Sequence, residues 1–141
     1  MKKLFIPVFI VAGVLFISVL SYAQEKIPVK LEVQNAQNDV VGKRLTYLIT
    51  QGINTSDSLK STGEEGFMLI CSILTVKIHG RPSCAYSFIV YSNTYGKVSP
   101  VLGHHLGICS NITVDDAARH IIKNLQESAE KFSASLKKSG E

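Results

Sequence analysis

The sequence predicts an α+β domain: an antiparallel sheet of three to four strands with two helices packed on one face, in the order β-α-β-β-β-α. Three observations predict it. "FMLICSILTVKI", "CAYSFIVYSNTY" and "VSPVLGHHLGIC" are apolar, β-branched or aromatic runs, separated by the short turns "HGRP" and "GK". Two other stretches, from Val41 and from Thr113, repeat their apolar residues at helical spacing. The three long strand-like runs are consecutive, which favours hairpins over the alternating helix and strand of a parallel sheet.

In chain order, "MKKLFIPVFIVAGVLFISVLSYAQEK" comes first. Lys2 and Lys3 form a positive start, Leu4 to Leu20 carry no charge, and Ser21 and Ala23 stand at the −3 and −1 positions of an export cleavage site. Residues 1–23 therefore read as a signal peptide cut after Ala23, and residues 24–141 as one small α+β domain. Seventeen uncharged residues fall short of the ~20 of a comfortable membrane-spanning helix. Membrane contact is expected only transiently, through the signal peptide, and the address is the periplasm or the exterior. The short leader with paired lysines reads as bacterial, so the sequon matches at Asn54 and Asn111 are taken as chance.

"IPVKLEVQN" alternates from Ile27 to Val33, the period of a half-buried strand. In "NDVVGKRLTYLITQGI", Val41, Leu45, Leu48, Ile49 and Gly52 fall on one helical stripe, with Asn38 or Asp39 as N-cap and Gly52 as its end. The polar "NTSDS" and "STGEEG" read as loops. Of the strands that follow, the first is greasier at its even positions, and Pro100 suits a strand beginning or an edge. Thr113 with Asp116 resembles a capping box, and Ala118, Ile121, Ile122, Leu125, Ala129, Phe132 and Leu136 continue as the stripe of the second helix.

Composition excludes several function classes. Losing Lys2 and Lys3 lowers Lys+Arg from 15 to 13 against 11 acids, a net charge of +2, and there is no basic run. Nucleic-acid binding, which needs a concentrated basic footprint, is not expected. The acid pairs Glu64–Glu65 and Asp115–Asp116 sit in a loop and in a helix first turn, where the second complements the dipole. No glycine loop cradles phosphate and no "GxSxG" frames a serine nucleophile. No cofactor is expected.

"GHHLGIC", Gly103 to Cys109, is the one stretch that looks chemical. Adjacent strand residues point to opposite faces, so His104 and His105 cannot jointly grip a metal, and no metal site is expected. The three cysteines, Cys71, Cys84 and Cys109, contain no CxxC; in an export compartment they read as one disulfide and one leftover thiol. A turn centred between Gly96 and Lys97 sets Cys84 opposite Cys109 and Gly107 opposite Tyr86. The first hairpin sets Cys71 opposite Val90, roughly 20 Å along the strand from Cys84. The expected disulfide is therefore Cys84–Cys109.

Two helices cannot cover both faces of such a sheet. The face with Ile70, Leu74, Val76, Ile78, Ile89, Tyr91, Leu102, Leu106 and Ile108 is the more uniformly apolar, and is expected beneath the helices. The face with Ile73, Thr75, Lys77, Tyr86, Phe88, Val90, His105 and Gly107 is then left as a mixed, aromatic-bearing surface. Tyr86, Phe88 and His105 are its expected partner-binding residues.

The segments "VGKRLTYLI", "ILTVKI", "AYSFIVYSNT", "LGIC" and "AARHII", in this order, resemble small exported bacterial proteins of uncharacterised function, over Val41 to Ile122. The resemblance implies the address and the architecture and no activity. Such relatives often carry a further cysteine in the final helix; Ala117 and Ala118 stand there in this chain, so a strand-to-helix disulfide does not carry over.

The sequence thus reads as an exported, non-enzymatic protein-interaction module, with a protein partner or a homodimer across the exposed sheet face. Two alternatives stand beside it: a small hydrolase or thiol enzyme using Cys109 and His105, and a small-ligand carrier with a pocket between helices and sheet.

Overall fold

A computed structural model describes residues 25–63, 68–94 and 97–139; the expected signal peptide and its cleavage site lie outside the described residues. The elements are β1 (Ile27–Asn35), α1 (Val40–Thr55), β2 (Leu59–Ser61), β3 (Met68–Lys77), β4 (Ser83–Thr94), β5 (Lys97–Ser110) and α2 (Val114–Ser139). The fold is α+β with two helices, as the sequence predicts. The sheet is larger and differently wired: five strands in the order β2-β1-β3-β4-β5.

It is also mixed, which corrects the antiparallel expectation. β1 runs parallel to β3, with Val29 opposite Leu69 and Val33 opposite Ile73. A parallel neighbour needs a long crossover, and α1 supplies it. β2 lies parallel on the other side of β1, held by Ile27 N–H donating to Ser58 O and Thr62 N–H donating to Val29 O, both at 2.9 Å. Three residues are too few to show a period, so the sequence gives no strand at Leu59–Ser61.

The hairpins follow the expected register. Cys71 faces Val90, Cys84 faces Cys109, and Tyr86 faces Gly107. The second hairpin closes one residue earlier than expected, with Thr94 opposite Lys97, and two register shifts between Val90 and Asn93 absorb the difference before the cysteines are reached.

Both helices cover one face. Asp39 caps α1, its Oδ1 accepting from Gly42 N–H at 2.8 Å, and Val41, Leu45, Ile49 and Ile53 turn inward. α2 buries Ala118, Ile121, Leu125, Ala129 and Phe132. Gly52 does not end α1, which runs on to Thr55; a Cβ there would strike Ile122, so the glycine lets α2 cross close by. At the start of α2 the Thr113 hydroxyl accepts from Ser110 N–H at 3.0 Å, a local turn where the sequence predicted a capping box. The core is Val29, Leu69, Cys71, Ile73, Phe88 and Val90 from the sheet against these two stripes.

The face assignment is the main correction. The helices cover the side bearing Ile73, Thr75, Tyr86, Phe88 and Val90, and the side bearing Leu74, Val76, Ile89, Leu106 and Ile108 is open. Three features of the covered side explain it. Phe88 and Tyr86 bring far more buriable area than Ala85 and Ser87 on the opposite side of β4. Gly103 and Gly107 give β5 a low profile there, Gly103 running directly beneath Ser128 of α2. Tyr86 lays its ring over Gly107, where a Cβ would clash with it.

Candidate functional site

The expected partner-binding residues form an interior cluster. Phe88 is 1% exposed and Tyr86 6%, both under the helices. His105 is half-buried beside them, its ring 4.8 Å from that of His120 on α2, edge to face, with Tyr86 at 6.0 Å and Phe88 at 6.2 Å. "GHHLGIC" is thus part of a strand, with His105 under α2 and His104 on the open side. Among the described residues no group of three or more His, Cys, Asp or Glu side chains is placed to hold a metal.

Cys84 and Cys109 face each other with their sulfurs beyond bonding distance, in surroundings that suit catalysis poorly. Cys84 and Cys109 lie directly opposite on β4 and β5, fully buried, with their sulfurs 3.5 Å apart as thiols. Burial pushes the Cys84 thiol up to about 12, helped by its contact with Cys109 and by the Asp39 carboxylate. Cys109 is raised too, by burial first and by the Asp39 charge, against the hydrogen bond with Cys84. Burial alone takes Cys71 to about 12. A nucleophilic cysteine needs the opposite environment, one that favours thiolate. His105 stands four residues from Cys109 on the same strand, about 13 Å away at strand rise, so the two form no dyad.

Asp39 adds a buried charge to this corner of the core. It is 1% exposed, and its second oxygen, Oδ2, has no hydrogen-bond partner among the described residues. Close by, Thr75 Oγ1 donates to Asn35 Oδ1 at 2.8 Å. A cleft of about 510 Å³ opens outside the cap, between the start of α1 and the β3–β4 turn, with Lys77 and Arg81 on its wall. It lies at the end of the sheet, whereas the carrier reading called for a pocket between helices and sheet.

Among the described residues, the open face is an extended apolar surface with no role inside the fold. Its rows can be read off the ladder: Val76–Ala85–Ile108, Leu74–Ser87–Leu106, Ser72–Ile89–His104 and Ile70–Tyr91–Val101. Leu106 is 73% exposed, Ile108 70%, Val101 58%, Val76 50%, Leu74 47% and Ile89 40%. No acid, lysine or arginine occurs in the four rows. The first charges appear on β1, where Lys30 pairs with Glu32 at 3.2 Å and Tyr91 donates to Glu32 at 3.3 Å. These six aliphatic residues together expose on the order of 600 Å², the upper end of the roughly 300–600 Å² reached by the largest patch on a typical monomer.

The sequence reading found a surface of this kind on the wrong side of the sheet. A signal for the right side was present: Ala85 and Ser87 between large residues on one face, and two glycines of β5 on the other. Compared with known proteins, no family model matches this chain, and no curated protein matches it in sequence.

Proposed function

We propose that this chain is an exported, non-enzymatic protein-interaction domain that binds a protein partner through the open face of its sheet. The observation that carries the reading is a contiguous aliphatic surface across three strands, with Leu106 and Ile108 at least 70% exposed. Water disfavours such a surface by roughly 25 cal/mol for each Å² that a partner would cover. The lack of catalysis is supported by the raised thiols and by the separation of Cys109 from His105. Export is supported by the leader residues Lys2, Lys3 and Ser21 to Ala23.

In the export compartment Cys84 and Cys109 form a disulfide. Each thiol gives up a proton and an electron, and the electron pair passes to a disulfide of an exchange oxidant, which is reduced to two thiols. Direct opposition on antiparallel strands supports the pairing, and forming the bond brings the sulfurs from 3.5 Å to the ~2.05 Å of an S–S bond. The bond fastens the edge strand β5, half of the open face, to β4.

A photo-activated cross-linker placed at Leu106 tests the binding surface in living cells. The reading expects discrete protein adducts from Leu106 and none from Tyr47, an exposed site on α1. Equal yields from the two positions, or none from Leu106, count against it. Recovery of a chain that begins at Gln24 tests the export step.

A further inference from the structure

We infer that the partner at the open face is a second copy of this chain, stacked sheet against sheet about a two-fold axis. This rests on the open face being a binding surface and adds the identity of what covers it.

Shape is the first argument. In two adjacent rows, Val76–Ala85–Ile108 and Leu74–Ser87–Leu106, β4 contributes the small residue between two large ones. The face therefore carries an aliphatic ridge over β3, another over β5, and a trough along β4 between them. A two-fold interface must be complementary to itself, and a ridge flanking a trough of similar width has that property. At the ~10 Å spacing of packed sheets, a ridge of each copy enters the trough of the other. Ile89 closes the trough in the next row, which limits how far one copy can slide along the other.

Area is the second. On the order of 600 Å² of aliphatic surface per copy gives about 1,200 Å² in a pair, the lower bound of stable interfaces, before Tyr91, Ser72 and His104 at the border are added.

Charge is the third. The patch offers a charged partner nothing to pair with, and its β1 rim carries one cation and one anion, Lys30 and Glu32. A second copy brings the same balanced rim. A strongly acidic or basic partner would leave its own charges buried without partners.

Light scattering on the purified chain, in the form that cells accumulate, reads the outcome across micromolar concentrations. The wild type is expected at twice the mass of one chain. Leu106→Lys is expected at a single mass with an unchanged circular dichroism spectrum. Ser87→Trp, which fills the trough and adds apolar surface, is expected to dissociate the pair as well. A wild type that stays at a single mass overturns the inference, as does a dimer that survives both substitutions. A single-mass chain that sediments with anionic lipid vesicles overturns it in favour of a lipid surface. A single-mass chain that still cross-links another protein from Leu106 overturns the second copy while leaving the binding face in place.

Discussion

The two faces of the sheet are similar in greasiness and opposite in fate. Under the helices, Leu69, Ile73, Phe88 and Val90 are no more than 1% exposed, and even the polar Thr75 and Ser92 are buried with them. On the other side, Leu74, Val76, Leu106 and Ile108 are as apolar as the core and stand roughly half exposed or more. The number of apolar residues thus does not decide which face a helix covers. Relief and volume decide it. Aromatic side chains on β4 beside glycines on β5 make an uneven socket that a helix fills, as Gly103 beneath Ser128 shows. Aliphatic ridges with a shallow trough make a surface better matched to another sheet.

The largest test of this contrast is a pair of substitutions. Phe88→Ala opens a cavity under the helices and is expected to cost about 3–5 kcal/mol of unfolding free energy in urea. Leu106→Lys, on the open face, is expected to change the stability of a single chain by no more than ~0.5 kcal/mol. Equal losses from the two would mean that the faces are not distinguished as described.

All three thiols lie on the covered face, and the next effect concerns two of them. Oxidising Cys84 and Cys109 closes a loop of about 25 residues and is expected to add roughly 3 kcal/mol to stability. Non-reducing peptide mapping is expected to find the Cys84–Cys109 bridge with Cys71 free; a bridge containing Cys71 would refute the pairing.

A smaller effect appears in alkali. Because burial raises the thiols in the folded state, the native chain holds protons that the unfolded chain has released once the pH passes 9, the ordinary thiol value. The contribution of these groups is complete below pH 9 and declines toward pH 12. Each thiol takes up to ~1.4 kcal/mol per pH unit. The reduced protein, with three titrating thiols, is expected to lose stability over this range more steeply than the oxidised protein, with one. Parallel slopes would place the titrating thiols elsewhere than Cys84 and Cys109.

Much of this fold was legible because its long elements announce themselves. The stripe from Ala118 to Phe132, the alternation in β4 and the turn at "HGRP" each specify an element, and the hairpin arithmetic brought Cys84 to Cys109 despite a turn closed differently from the one assumed. β2 escaped because three residues carry no period. The parallel pairing of β1 with β3 escaped because it depends on where α1 returns the chain, a tertiary fact. The candidate site was misplaced because β3 is apolar on both sides: Ile73 and Leu74 give the same signal, and only their neighbours on β4 and β5 distinguish them. Reading Gly103, Gly107, Ala85 and Ser87 as a pattern of relief would have separated the two faces.

Radical footprinting of the open face, in the native compartment and on the purified chain at high dilution, tests the central claim most directly. Leu106, Ile108 and Val76 are expected to be modified in the dilute chain and shielded in the compartment. Val40 and Ile112, exposed outside the open face at 73% and 89%, are expected to react alike in both. Equal modification of Leu106 and Ile108 in the two settings would contradict the claim that this face works by being covered.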